Sequence, residues 1–173
     1  KPLQSYKPLD LAQELSIVLT EKLPPSNLTV YEIIALGRQP YTNWLGTLSE
    51  EDITKIEKAI SLTEIQHLVH KKHDEISDGQ LQIALIARAL AQDTSIIILD
   101  EPTTALSLTE SEKVFNFVRR IKERGSSCIF ISHNIYHTYS VADRFVVLDR
   151  GKVVLETDKE HTTADQLIKT GKA

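Results

Sequence analysis

Ile96-Ile97-Ile98-Leu99-Asp100-Glu101-Pro102 is the stretch that decides the fold. An uninterrupted apolar run, mostly β-branched, suits a short strand buried on both faces of a parallel sheet. It delivers two adjacent carboxylates to the strand's C-terminal end, the edge where ligands bind in open α/β sheets. Pro102 stops the strand. Two acids at that edge can divide labour: one holds a magnesium ion, usually through water, and the other orients or deprotonates a nucleophilic water. Taken alone, the stretch is equally well a surface strand that happens to end in Asp-Glu, because short motifs match by chance.

Working outward, two further runs have the same character, Ser16-Ile17-Val18-Leu19-Thr20 and Cys128-Ile129-Phe130-Ile131-Ser132. Arg144-Phe145-Val146-Val147-Leu148, then Asp149-Arg150-Gly151, then Lys152-Val153-Val154-Leu155 predicts an antiparallel hairpin. Helices fill the gaps. Ser49-Glu50-Glu51-Asp52 has capping-box spacing, with Ile53, Ile56 and Ile60 as one apolar stripe. Gly79 to Ala91 is a strong helix former. Thr109-Glu110-Ser111-Glu112 reads as a second capping box, with Val114, Phe115, Val118 and Ile121 inward and Gly125 as the stop. Thr163-Ala164-Asp165-Gln166 caps a last helix. Strands alternating with helices predict an α/β fold with a parallel sheet, and residues 27–90 read as an inserted α-helical subdomain.

Composition narrows the class. The chain has 173 residues, 41% hydrophobic and 25% charged, with six Gly, one Cys and no Met. These are values of an ordinary globular domain, not of a disordered tail, a collagen or a disulfide miniprotein. The net charge of -4 does not supply the broad cationic field that non-specific nucleic-acid binding needs. Cys128 has no intramolecular partner and reads as a buried structural thiol of a reducing compartment. No apolar stretch approaches the roughly 20 residues of a membrane helix. No charged-then-apolar secretory leader opens the sequence. A sequence that starts at Lys1 without Met reads as an excised, processed or truncated segment.

Two more motifs join the first. Ile76-Ser77-Asp78-Gly79-Gln80 stands directly before the Gly79–Ala91 helix. Ser and Gly at a helix start leave backbone N–H groups to grip an anion where the helix dipole favours negative charge, although Ser77 or Asp78 as a plain N-cap explains them equally. Phe130-Ile131-Ser132-His133 ends the next buried strand with a histidine that can reach a terminal phosphate, or simply cap and pack.

Together the three motifs resemble the nucleotide-binding domain of ATP-binding-cassette (ABC) transporters, across nearly the whole chain. Ile76–Gln80, running into Ile86-Ala87-Arg88-Ala89-Leu90, is similar to the signature Leu-Ser-Gly-Gly-Gln. Ile96–Glu101 is similar to the Walker B strand, and Ser132-His133 to the switch histidine. The resemblance implies roles. Asp100 helps hold Mg2+, Glu101 polarises the attacking water, and His133 contacts the γ-phosphate. Ser77, Gly79 and Gln80 grip the γ-phosphate of an ATP on the opposite subunit of a head-to-tail dimer. Glu21, in Val18-Leu19-Thr20-Glu21, takes the Q-loop place. Such chemistry is mostly positioning and charge neutralisation.

Departures from the pattern accompany the match. Asp78 replaces a signature Gly, Leu81 a common Arg, Glu21 the Q-loop Gln, and Ser107 the last residue of the D-loop in Thr104-Ala105-Leu106-Ser107. No pair among Gly37, Gly46, Gly79, Gly125, Gly151 and Gly171 forms the phosphate loop Gly-x-x-x-x-Gly-Lys-[Ser/Thr] that cradles phosphates. Asn27-Leu28-Thr29-Val30-Tyr31-Glu32 and Ala35-Leu36-Gly37-Arg38-Gln39-Pro40-Tyr41-Thr42 resemble importers of iron-siderophores, haem and cobalamin. Phe130–Ile135 and Val141–Leu148 resemble ribose-type sugar importers. A join of the two branches would make a chimera, and divergence within one lineage is the alternative.

The resemblance implies a partial P-loop NTPase fold. Residues 1–26 and 91–173 form the core lobe, without its phosphate loop, and residues 27–90 the helical signature subdomain. It implies ATP hydrolysis coupled to import of iron chelates or sugars, on the cytoplasmic face of the membrane. The expected partners are a second nucleotide-binding subunit and transmembrane permease subunits. ATP and Mg2+ are the family's ligands. Without the phosphate loop this segment is expected to hydrolyse ATP negligibly. The alternative is a non-catalytic or chimeric module that folds or binds a partner. A DNA-repair relative ranks last, because the helical block shows no heptads. His67, His70 and His73 sit at three-residue steps and read as a solvated helix end before a metal site. His133-Asn134-Ile135-Tyr136-His137 has zinc-protease spacing without its Glu base. Trp44 reads as a local cover or a partner contact.

Overall fold

The computed structural model describes residues 2–19, 24 and 26–171. By internal contacts the chain divides into two compact units, Lys1–Ile131 and Ser132–Ala173.

The first unit is built on a parallel three-stranded sheet, β1 (Leu15–Val18), β2 (Ile96–Asp100) and β3 (Ser127–Ile131), in spatial order β1-β2-β3. Ile17 lies beside Ile98, and Ile98 beside Ile129; Asp100 lies beside Ile131. Helix α1 (Pro8–Glu14) leads into β1, and α2 (Val30–Ala35), α3 (Glu50–Thr63) and α4 (Asp78–Ala91) follow it; α5 (Leu108–Glu123) joins β2 to β3. Helix α4 packs on β1 and carries α2 and α3, while α5 packs on β3.

One face of the sheet is covered by this helical layer. Val18, Ile97 and Leu99 are 0%, 3% and 0% exposed. Phe130, on the same side, meets Phe115 of α5 with ring centroids 6.2 Å apart. Cys128 shares that side by strand alternation, and burial pushes its thiol up to about 12. The sequence reading of an inert structural cysteine fits this environment. On the opposite face, among the described residues of this unit, Ile17, Ile129 and Ile131 are 44%, 50% and 48% exposed. The apolar runs predicted strands covered on both sides, and the described residues of this unit cover one.

The helical layer is anchored by an ion pair. Arg38 Nε donates to Asp52 Oδ1 at 2.8 Å, both side chains being almost fully buried. The same guanidinium donates to the Ala91 and Gln92 carbonyls at 2.8 and 3.3 Å, capping the C-terminus of α4, and lies 3.9 Å over the Tyr41 ring. Burial pushes the Asp52 carboxyl up. The Ser49 hydroxyl and N–H and the Arg38 guanidinium outweigh burial and hold it below the usual carboxylate value. Gly37 is required beside this pair, because a Cβ there would meet the Arg88 carbonyl oxygen at 2.2 Å.

The second unit contains α6 (Ile135–Tyr139), the antiparallel hairpin β4 (Arg144–Asp149) and β5 (Lys152–Asp158), and α7 (Ala164–Thr170). Arg150 and Gly151 both have positive φ, 47° and 77°, the backbone of a tight I′ hairpin turn. Tyr139 stacks on Phe145 at 5.4 Å and its hydroxyl donates to the Thr162 carbonyl at 2.9 Å.

Strand and helix positions follow the sequence reading, with corrections. The capping box of α5 is Ser107 with Glu110, not Thr109 with Glu112. The helix starts two residues earlier because the Ser107 hydroxyl accepts the Glu110 N–H at 3.3 Å while the Glu110 carboxylate accepts the Ser107 N–H at 2.9 Å. Phe117 of α5 is buried although the inward set omitted it, and Ile53 of α3 is partly exposed although the stripe included it. The spacing gave no sign of α1, a helix too short for a clear period.

Candidate functional site

Asp100 and Glu101 stand at the C-terminal end of β2, the middle strand. By strand alternation Asp100 shares the half-exposed face with Ile98 and Ile131, while Leu99 points under the helices. Among the described residues none hydrogen-bonds to or ion-pairs with the Asp100 carboxylate. A hard carboxylate without a protein counter-charge is the donor type that Mg2+ takes, so the residue fits the ion.

Glu101 turns the chain. Its φ is 45°, in the left-handed region, at a cost of about 1–2 kcal/mol for a residue with a Cβ. Its N–H donates to the Ile131 carbonyl at 2.9 Å and its own carbonyl accepts the Thr104 N–H at 3.2 Å. The Thr104 hydroxyl donates to Glu101 Oε2 at 3.3 Å. Pro102 behind it is fully buried. The positive φ ends the strand at Asp100, so Glu101 does not continue the backbone of β2. Sequence reasoning quoted Thr104 within the D-loop and gave it no role; a hydroxyl three residues past an acid was the available signal.

The start of α4 is a reciprocal capping box. Gln80 N–H donates to Ser77 Oγ at 3.1 Å, and Ser77 N–H donates to Gln80 Oε1 at 3.0 Å. Ser77 is thus the N-cap and Asp78 the first helical residue, where its charge complements the helix dipole. Gly79 is the point of close approach. A Cβ on it would meet both Glu110 carboxylate oxygens at 3.1 Å and the Ala105 carbonyl oxygen at 3.3 Å. The structure therefore brings the start of α4 against the turn that leads from Glu101 to α5. The Ser107 N–H, then its hydroxyl, hold the Glu110 carboxyl below its usual value, so a charged carboxylate sits at that contact.

The remaining predicted residues are placed as follows. Glu21 lies outside the described residues. His133 belongs to the second unit, just beyond the end of β3. Beside it the Ser132 hydroxyl accepts the Asn134 N–H at 3.0 Å, and Asn134 N-caps α6. His133 precedes that helix, so His133 and His137 do not form the helical pair a zinc protease uses. His73 Nδ1 accepts the Ser26 N–H at 3.3 Å in a separate turn from His67. No cluster of three or more His, Cys, Asp or Glu suited to a metal occurs among the described residues. Trp44 is 92% exposed on a loop pinned by Asn43, whose side-chain oxygen accepts the Leu45 and Thr47 N–H groups at 3.0 and 3.1 Å.

Comparison with known proteins adds to this geometry. A family pattern described as ABC transporter matches residues 1–104. An uncharacterized ABC transporter ATP-binding protein of Methanocaldococcus jannaschii is 35% identical over 169 residues, 97% of this chain and 58% of that protein. A petrobactin import ATP-binding protein of Bacillus anthracis is 32% identical over 169 residues, 97% of this chain and 62% of that protein. A xylose/arabinose import ATP-binding protein of Sulfolobus acidocaldarius is 34% identical over 142 residues, 82% of this chain and 56% of that protein. The chain spans about three fifths of the length of these curated relatives. Among solved structures, an ATP-binding cassette dimer in a post-hydrolysis state bound to ADP and Pi superposes with a TM-score of 0.75 at 26% identity, covering 90% of this chain and 68% of that one. A cassette in its ADP conformation gives a TM-score of 0.77 at 21% identity, covering 96% of this chain and 68% of that one, a likeness of fold.

Proposed function

The chain belongs to the ABC transporter family, and from that premise we propose that it is the greater part of the ATP-binding subunit of an importer of iron chelates. The observation that carries the reading is the pair Asp100–Glu101 at the C-terminal end of the middle strand, one acid without a protein counter-charge and the other in the left-handed turn that ends the strand. The iron-chelate class is favoured because the petrobactin-import relative runs along both halves of the chain. The second reading, sugar import, has the xylose/arabinose relative in its favour.

Bound Mg2+ would supply charge neutralisation at the phosphates. Asp100 would hold the ion through its carboxylate. Glu101 takes up the proton or orients the water, with Thr104 fixing one carboxylate oxygen. Ser77, Gly79 and Gln80 present the start of α4 to the γ-phosphate on a second, head-to-tail subunit. Glu21 and His133 act from the Q-loop and switch positions. Residues 27–90 are the helical subdomain that meets the permease, and 1–26 with 91–173 the core lobe. The subunit works at the inner membrane face. Among the described residues no helix is long and apolar enough to cross a membrane.

The segment contains no phosphate-loop sequence, so by itself it turns over Mg-ATP negligibly. Phosphate release from the purified chain decides this. No release above buffer is expected; release that Glu101→Gln abolishes overturns it.

A further inference from the structure

A cleft opens beside Thr94 and Ser126, the approaches to the N-terminal ends of β2 and β3. Six residues of strand at about 3.3 Å each put it about 20 Å from Asp100. Lys55 and Lys58 of α3 and Arg124, just past α5, stand at the same cleft. It holds about 40 Å³, room for about three water molecules. Neither Asp100, Glu101 nor the start of α4 contributes to it. We propose that this cleft binds a small tetrahedral oxyanion of the phosphate type between Lys58 and Arg124.

Charge selects the ligand. The chain carries a net charge of -4, yet three cations meet here against one acid, Asp93. Lys55 takes that acid in an ion pair. Among the described residues neither Lys58 nor Arg124 makes an ion pair or a side-chain hydrogen bond. Neither has an acid three or four residues away on its own helix. Lys58 has Thr54, Lys55, Ser61 and Leu62 at those steps, and Arg124 has Arg120 and Ile121. Lys55 and Lys58, three residues apart on α3, repel each other. The negative ends of α4 and α5 offset part of this excess, by about half a charge each. Their last carbonyls are already taken. Arg38 holds those of Ala91 and Gln92, and the Arg124, Gly125 and Ser126 N–H groups hold those of Ile121 and Lys122. Two uncommitted cations against two half-charges leave about one positive charge for an anion to meet.

Size and donors narrow it further. The volume of about three waters admits a phosphoryl or sulfate group and excludes a nucleoside. Ala59, Leu90 and Ile121 give the cleft apolar walls, so charges act there with less screening than in open water. Arg124 brings a planar fork of donors that matches two oxygens of a tetrahedral anion, and Lys58 adds a point charge from α3. The Ser126 hydroxyl makes no hydrogen bond among the described residues and supplies a third donor. A bound anion ties α3 to the end of α5, and a ligand that binds the folded state alone raises its stability. The inference rests on this cleft and is independent of nucleotide.

The test is urea unfolding of the full chain at fixed ionic strength in chloride, inorganic phosphate or glycerol phosphate. Inorganic phosphate is expected to raise the midpoint along a saturating curve, half complete at about 1 mM, and titration calorimetry should return the same constant. Lys58→Gln with Arg124→Gln should weaken binding roughly tenfold or more. The midpoint of that variant in chloride should not fall, because both side chains are exposed. Arg124→Lys keeps the charge and drops the fork, and should weaken binding by a smaller factor. Lys7→Gln with Lys169→Gln removes the same charge elsewhere and should leave the phosphate response intact. Glycerol phosphate acting as strongly as phosphate assigns the site to phosphate monoesters, and a response to phosphate alone assigns it to the free anion; both support the proposal. A midpoint that climbs without saturating is the general effect of an excluded salt and overturns it. So does an equal response from the two doubly substituted chains, or no heat of binding.

Discussion

The two faces of the three-stranded sheet are built from the same residue types and live in different surroundings. Val18, Ile97 and Leu99 are sealed under α4 and α5, while Ile17, Ile129 and Ile131 on the same strands are about half exposed. Strand alternation puts neighbours in sequence on opposite sides. A continuous apolar run therefore records what the sheet is meant to contact on both sides, and the structure records which contact is present. The covered face owes its cover to a layer pinned at Arg38; among the described residues of the first unit the half-exposed face has no such anchor.

The strongest way to break the comparison is to release the layer. Arg38→Ala leaves the Asp52 carboxylate buried without its cation and uncaps α4. Breaking one partner of a buried pair costs about 3–5 kcal/mol. The urea midpoint should fall accordingly, and α-helical circular dichroism should be lost at lower denaturant. A loss below about 1 kcal/mol would mean that the layer is held by apolar packing alone.

Next in size is the sealed side itself. Leu99→Ala removes a fully buried side chain from the middle strand and should cost about 2–5 kcal/mol. Equilibrium unfolding reads it directly. Asp52 gives a smaller, pH-dependent effect. Its folded value is depressed, so its contribution is complete above the unfolded value of about 3.9 and is lost as pH falls through the lower folded value. The stability gap between the unaltered chain and Asp52→Asn should be constant from about pH 5 upward and close below about pH 4. A gap that widens in acid would reverse the assignment.

Much of this fold was legible because local signals and tertiary structure agree. β-Branched runs mark β1, β2 and β3, and Ser49 and Ser77 open helices by capping chemistry that four residues suffice to show. The α5 cap was misplaced because Ser107–Glu110 and Thr109–Glu112 have the same spacing, and only the hydrogen bonds tell them apart. At the site, Asp100, Glu101, Ser77 and Gly79 were named from motifs. The left-handed turn at Glu101 was not readable, because nothing in an Asp-Glu-Pro triplet reports φ and the constraint comes from Ile131 on another strand. The Arg38–Asp52 pair was likewise hidden. Its partners are fourteen residues apart and meet only once α3 has docked on α4.

The smallest predicted effect is on the half-exposed side, and it carries the comparison furthest. Ile129→Ala truncates a side chain of the same volume class as Leu99, one strand away, at a position half in water. Fully burying such a side chain is worth about 1.5–3 kcal/mol, so a half-buried one has about 1 kcal/mol or less to lose, with no cavity to add. Unfolding of the two variants side by side measures the difference between the faces rather than either alone. A cost for Ile129→Ala equal to that for Leu99→Ala would show that the face is covered in solution.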